Sequence, residues 1–127
     1  MNPLKASMMQ AVLGMELQSK RMGITSENIS NVDTPGYKRK LLMLEPQQGL
    51  GGDFMTTRVQ LDQKAGVQEF DPAHPMANAD GYVTMSNVSL VTELADMREA
   101  NRSYEANLNS FQQARSMYRS LLDILRR

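Results

Sequence analysis

The chain has 127 residues, carries 14 basic and 14 acidic side chains, and has a net charge of zero and no cysteine. That length holds one ordinary domain, or one helical element with an extended insert. Balanced charge argues against nucleic acid, whose binders need a basic excess, and it removes the self-repulsion that opposes association; the lack of cysteine excludes disulfides, thiolate metal sites and thiol catalysis.

The first twenty residues contain no apolar run long enough for a cleaved signal peptide or a membrane span, because Glu16, Gln18 and Ser19 interrupt it. Apolar positions instead recur in steps of four and three at Leu4, Met8, Ala11, Met15, Met22, Ile29 and Val32, with Gln18 and Thr25 at the two polar seam positions. This is coiled-coil spacing, and it predicts a helix from Pro3 to about Ser30, roughly 40 Å long. Pro3 suits a first helical turn.

The stop follows in Asn28-Ile29-Ser30-Asn31-Val32-Asp33-Thr34-Pro35-Gly36-Tyr37. Asn31 is expected to take a left-handed cap, and Thr34-Pro35-Gly36-Tyr37 has the Pro-Gly order of a type II turn. Beyond it, residues 41–44, 56–61, 67–70 and 82–85 are short strand candidates, punctuated by glycine and proline. Large apolar groups are few there, which predicts an extended arm of hairpins and not a second packed core.

A second helix is expected from Asn87 or Ser89, either of which can cap it, with Glu93 favouring the positive end of its dipole. Its seam runs through Leu94, Met97, Asn101, Tyr104, Leu108, Phe111, Arg115, Tyr118, Leu122 and Leu125. The fold class is therefore mainly α. N- and C-terminal helices pair as an antiparallel coiled coil with a central β-hairpin and loop arm, divided as 1–33, 34–86 and 87–127. Pairing residues whose numbers add to 133 sets Met8 against Leu125, Ala11 against Leu122, Met15 against Tyr118, Met22 against Phe111 and Ile29 against Tyr104. It also opposes the two polar breaks, Gln18 and Arg115. Apolar side chains outside the seams would form exposed stripes on a lone chain, which self-association would cover.

Chemistry-bearing residues are sparse. His74, near Asp71, is the one histidine and lacks the further ligands that a closed zinc site needs. No Gly-x-Ser-x-Gly elbow is present, and Gly49-Leu50-Gly51-Gly52 has no following Lys-Ser/Thr and reads as a loop tip. Lys38-Arg39-Lys40 reads as a solvated strand edge. No catalytic residue, cofactor or metal is assigned.

Asn28-Ile29-Ser30-Asn31 followed by Thr34-Pro35-Gly36-Tyr37 resembles the N-terminal signature of bacterial flagellar axial proteins. The segment from Asp71 through Asp80-Gly81-Tyr82-Val83, then Ser86-Asn87-Val88 and Arg102-Ser103-Tyr104, resembles basal-body rod proteins of the C type, which are proximal-rod subunits. Ser86 departs from that family, which often has proline there. The resemblance spans nearly the whole chain, weakest between Glu45 and Asp62. It implies a torque-transmitting structural subunit of the periplasmic rod, exported by the flagellar type III apparatus without a cleaved signal. Its implied partners are itself, other rod proteins and the membrane-ring and rod-base proteins, with no nucleic acid, membrane insertion or small-molecule substrate. Asn28, Asn31, Thr34, Pro35, Gly36, Tyr37, Gly81, Tyr82, Asn87, Arg102 and Tyr104 are the motif positions expected to serve assembly. The competing reading is a small helical adaptor or export chaperone, against which the long Gly/Pro-punctuated middle argues.

Overall fold

The structure is a computed structural model that describes residues 2–47 and 55–127; the Gly49-Leu50-Gly51-Gly52 segment lies outside the described residues. The elements are α1 (Pro3–Ser30), β1 (Lys40–Pro46), β2 (Met55–Leu61), β3 (Gln68–Phe70), β4 (Tyr82–Thr84) and α2 (Leu90–Leu125). Both helices and all four strands fall where periodicity and turn residues put them. By contacts the chain divides into two compact units, one formed by Met1–Gly23 with Asp96–Arg127, the other by Ile24–Ala95. These divisions fall inside the helices.

In the first unit α1 opens on Asn2. Its side-chain Oδ1 accepts the Leu4 N–H at 2.9 Å and its carbonyl accepts the Ala6 N–H at 3.0 Å, which makes it the N-cap and puts Pro3 at the first helical position. The two helices run antiparallel. Lys5 Nζ sits 5.5 Å from the ring centroid of Tyr118, and a Cβ added at Gly14 would lie 2.7 Å from Asn107 Nδ2. Facing residues therefore have numbers adding to about 122, not 133. The helices are displaced by about three turns from the expected register. Arg115 does not oppose Gln18 but is exposed, and Leu122 and Leu125 are exposed as well. Met8, Met15, Gln18, Met22, Tyr104, Leu108, Phe111 and Tyr118 are half-buried.

The physical reason lies in which side chains are buried. The buried apolar residues of this unit are Ala11, Ala100 and Ala114. Ala100 and Ala114 each stand one position before the expected seam residues Asn101 and Arg115. Ala100 and Ala114, fourteen residues apart, lie near one face of α2, about 100° round the helix from the positions that the expected seam put inward. Other large apolar groups, Val12, Leu13, Leu121 and Ile124, are exposed.

In the second unit β1 and β2 form an antiparallel hairpin in register from Lys40↔Leu61 to Pro46↔Met55, extended one rung by the Asp62 N–H donating to the Arg39 carbonyl at 2.8 Å. Glu45 and Arg58 pair across it at 2.7 Å. Strands β3 and β4 pair as Gln68↔Thr84, Glu69↔Val83 and Phe70↔Tyr82, with Val83 buried. Their connecting loop organises itself: Asn78 Oδ1 accepts the N–H groups of Asp80 and Tyr82, and His74 Nδ1 accepts that of Met76 at 3.0 Å. His74 thus has a turn-forming part.

Among the described glycines, Gly66 makes the tightest backbone approach. A Cβ there would lie 2.0 Å from the Met85 carbonyl oxygen, beside the bond from the Met85 N–H to the Val67 carbonyl. Gly66→Ala should therefore lower the unfolding free energy by about 1–3 kcal/mol, measured by urea denaturation. Gly23→Ala, at an exposed mid-helix site with nothing within 4 Å of the new Cβ, should raise it by up to about 1 kcal/mol.

Candidate functional site

The site lies wholly in the second unit, where α1 ends, the hairpins begin and α2 starts. Helix α1 stops by a tightened last turn. The Asn31 N–H is shared between the carbonyls of Glu27 and Asn28, both at 3.2 Å. Asn31 Nδ2 donates to the Glu27 carbonyl at 2.8 Å, and its Oδ1 accepts the Thr34 hydroxyl at 3.1 Å. Among the described residues only Gly36 and Gly81 have positive φ, so the expected left-handed cap at Asn31 is not formed. Its side chain satisfies the helix-end carbonyl directly, which makes that strained conformation unnecessary. The Tyr37 N–H donates to the Thr34 carbonyl at 3.2 Å, and Gly36 has φ 75°, the geometry of a type II turn with Pro35 and Gly36 at its centre. The Gly36 N–H then donates to the Thr84 carbonyl at 2.9 Å, tying the turn to β4.

Residues 37–40 leave this turn extended and are held on two sides by carboxamides. Asn28, 1% exposed, donates from Nδ2 to the Lys40 carbonyl at 3.0 Å. Its Oδ1 accepts the Lys40 N–H at 3.0 Å and the Tyr37 hydroxyl at 2.8 Å. On the other side Asn87 Oδ1 accepts the Arg39 N–H at 2.6 Å, its Nδ2 donates to the carbonyls of Asp62 and Lys64, both at 2.9 Å, and its backbone N–H donates to the Tyr37 carbonyl at 3.3 Å. Asn87 is thus a tie and not a helix cap; the capping position falls to Ser89, whose carbonyl accepts the Glu93 N–H at 3.0 Å. The Ser86 hydroxyl donates to the Val32 carbonyl, a bond that a proline at that position could not make.

Charge completes the junction. The Arg39 guanidinium pairs with Glu93, whose side chain is 1% exposed. Lys40 pairs with Glu27, and Lys38 Nζ donates to Gln63 Oε1 at 2.9 Å. The basic triplet is therefore no bare strand edge: each of its members has an anionic or amide partner. The bond to Glu27 holds the Lys40 ammonium above its ordinary pKa. Burial foremost, then the Glu27 and Glu93 carboxylates, raise the Tyr37 phenol above 10.0, with Lys40 opposing.

The structure thus brings together Asn28, Asn31, Thr34, Pro35, Gly36, Tyr37 and Asn87. Gly81 and Tyr82 belong to the same unit but sit on the β3–β4 hairpin, where Tyr82 meets Phe70 edge-on at 5.3 Å. Arg102, exposed, and Tyr104, half-buried, belong to the other unit. Ile29 is half-buried. Sequence reading missed Arg39, Glu93 and Ser86 as members of the junction.

Comparison with known proteins bears on this same region. Residues 9–38 match the family described as "Flagella basal body rod protein", and residues 79–124 match "Flagellar basal body rod FlgEFG protein C-terminal". The chain is 40% identical to the flagellar basal-body rod protein FlgC of Agrobacterium fabrum, over 99% of this chain and 98% of that one. The chain belongs to the FlgC family of flagellar basal-body rod proteins. The FlgC proteins of Borreliella burgdorferi, 32% identical over 96% of this chain and 97% of that one, and of Salmonella typhimurium, 31% over 79% and 81%, are similar to it as well. The two family matches take in the two sides of the junction, ending at Lys38 and resuming at Ala79, while the β1–β2 hairpin falls between them.

Replacing Asn28 by Ala should cost about 3 kcal/mol, because both backbone groups of Lys40 and the Tyr37 hydroxyl lose their partner together; Asn28→Asp restores the acceptor but not the donor and should recover only part of this. Chemical denaturation checks both. A folded-state phenol pKa above the unfolded value means that the folded chain holds the proton longer, so the Tyr37 contribution is complete below about pH 10 and is lost as pH rises through the folded value. The stability difference between wild type and Tyr37→Phe should therefore be about 1 kcal/mol at pH 8 and shrink above pH 10, read from urea curves at the two pH values.

Proposed function

We propose that this chain is a structural subunit of the flagellar basal-body rod. The observation that carries the reading is the full-length similarity to FlgC proteins, 40% identity over 99% of the chain. Its subunit chemistry fits: paired terminal helices whose large apolar side chains face outward, and a junction whose polar groups bond to one another and leave no poised nucleophile or acid–base pair. In this reading the terminal helices pack against neighbouring subunits, and the hairpins form the lateral part of each. The subunit stands in the proximal rod on the periplasmic side, among other rod proteins and above the membrane ring, after export by the flagellar type III apparatus. The motif positions at the junction fix how the helices give way to the hairpins, and transmission of torque is mechanical, with no reaction catalysed.

An adaptor or export chaperone is the weaker reading, since its client-holding helices would have no use for two hairpins and a self-organised loop. Deletion of the gene, followed by electron microscopy of isolated basal bodies, decides between them. The rod reading expects non-motile cells with membrane rings but no rod, and motility restored by the intact gene. Motile cells with complete basal bodies would overturn it.

A further inference from the structure

Charge along the chain is balanced in sum but not in distribution. Between residues 65 and 97 there are five carboxylates and no lysine or arginine, whereas residues 115–127 carry four arginines and one aspartate. The acidic stretch holds the β3–β4 hairpin. There Phe70, 63% exposed, and Tyr82, 43% exposed, form their edge-on pair directly beside the exposed Asp71 and Asp80. The ring of Phe70 lies over Gly81, 2.9 Å from where a Cβ would stand. An aromatic pair edged by carboxylates suits a guanidinium, which is attracted both to ring faces and to the acids.

The last turns of α2 offer that chemistry. In the antiparallel register, residues after about Ser120 have no α1 residue opposite them. Ile124 is 67% and Leu125 74% exposed, flanked by Arg119 and Arg126, both exposed. Neither these arginines nor Asp71 and Asp80 form an ion pair among the described residues. An apolar, basic helix end and an apolar, acidic hairpin face on the same chain are complementary in both charge and hydrophobicity.

We propose that the Phe70–Tyr82 face of one copy docks the C-terminal end of α2 of a second copy, a head-to-tail contact that rests on the rod-subunit reading. The contact joins two different surfaces, so it propagates along a series of subunits and does not close on itself as a two-fold pair must. Arginine lies against the aromatic pair and Asp71 or Asp80, while Ile124 and Leu125 cover apolar surface that a lone chain leaves in water. Steering between the two patches is salt-dependent, because exposed charges are screened beyond about 8 Å at physiological ionic strength.

The absence of cysteine makes the test clean. Full-length Ala79→Cys and Ser120→Cys proteins, purified separately and mixed with a short bis-maleimide, should give a heterodimer in at least about ten-fold excess over either protein alone, falling at high salt. Arg119→Glu with Arg126→Glu on the Ser120→Cys protein should abolish it, and Asp71→Arg with Asp80→Arg on the other protein should restore it. No preferential heterodimer, or loss by charge reversal without rescue, overturns the proposal. Either failure leaves the rod reading standing if the deletion strain lacks a rod, since the neighbour at this face would then be a different protein.

Discussion

Everything in the second unit depends on residues 37–40 being held in one extended conformation from both sides. A carboxamide can do this because it presents an acceptor and donors in the same geometry as a peptide group. Asn28 bonds both the N–H and the carbonyl of Lys40, so the first rung of the strand that becomes β1 is supplied by a helix side chain. On the opposite side Asn87 accepts the Arg39 N–H at Oδ1 and donates from Nδ2 to the Asp62 and Lys64 carbonyls just beyond β2. Aspartate lacks the donor and leucine lacks both functions, so neither shape nor polarity alone could replace either residue. Burial raises the stakes, because an unmade bond to Asn28 leaves groups that water cannot reach.

The ion pair between Arg39 and Glu93 has a different part. A carboxylate taken almost wholly out of water is costly unless paired, and pairing in a protein interior does little more than offset that cost. Its consequence is specificity: Glu93 belongs to the first turn of α2 and has a strong reason to sit beside the strand that follows Asn28. Asn87 and Arg39, joined by the Arg39 N–H donating to Asn87 Oδ1, and Glu93 and Arg39, joined through charge, fix the start of α2 twice over. Among the described residues no buried side-chain polar atom is left without a partner, which is what a junction of this polarity requires.

How much of this was legible depends on whether the signal is local. Helix α1 and its type II turn could be read because Pro3, Pro35 and Gly36 restrict the backbone where they stand. The strands could be read because glycine and proline bracket short alternating runs. Asn28 and Asn31 stood out together, yet nothing local distinguishes them: Asn31 bonds within its own turn, whereas Asn28 reaches twelve residues ahead. Arg39 and Glu93 are 54 residues apart, and each has a sufficient local explanation, as part of a solvated triplet and as a helix-dipole residue. The helix register was unreadable for another reason. Large apolar residues weigh most in a seam, but the apolar residues buried in the first unit are Ala11, Ala100 and Ala114, which periodicity scarcely distinguishes from their neighbours.

That difference divides the two units by what each needs from outside. The second unit satisfies its polar groups internally and closes over Val83, Asn28 and Glu93, so its shape is specified by its own bonds. The first unit has a core of three alanines and keeps Val12, Leu13, Leu121 and Ile124 in water. At about 25 cal/mol per Å² of apolar surface, the exposed side chains contribute little of what they could if they were buried. The paired helices thus carry much of the molecule's exposed apolar surface, and its specific shape comes from the hairpins. Burying small residues brings the helices close while leaving Val12, Leu13, Leu121 and Ile124 exposed.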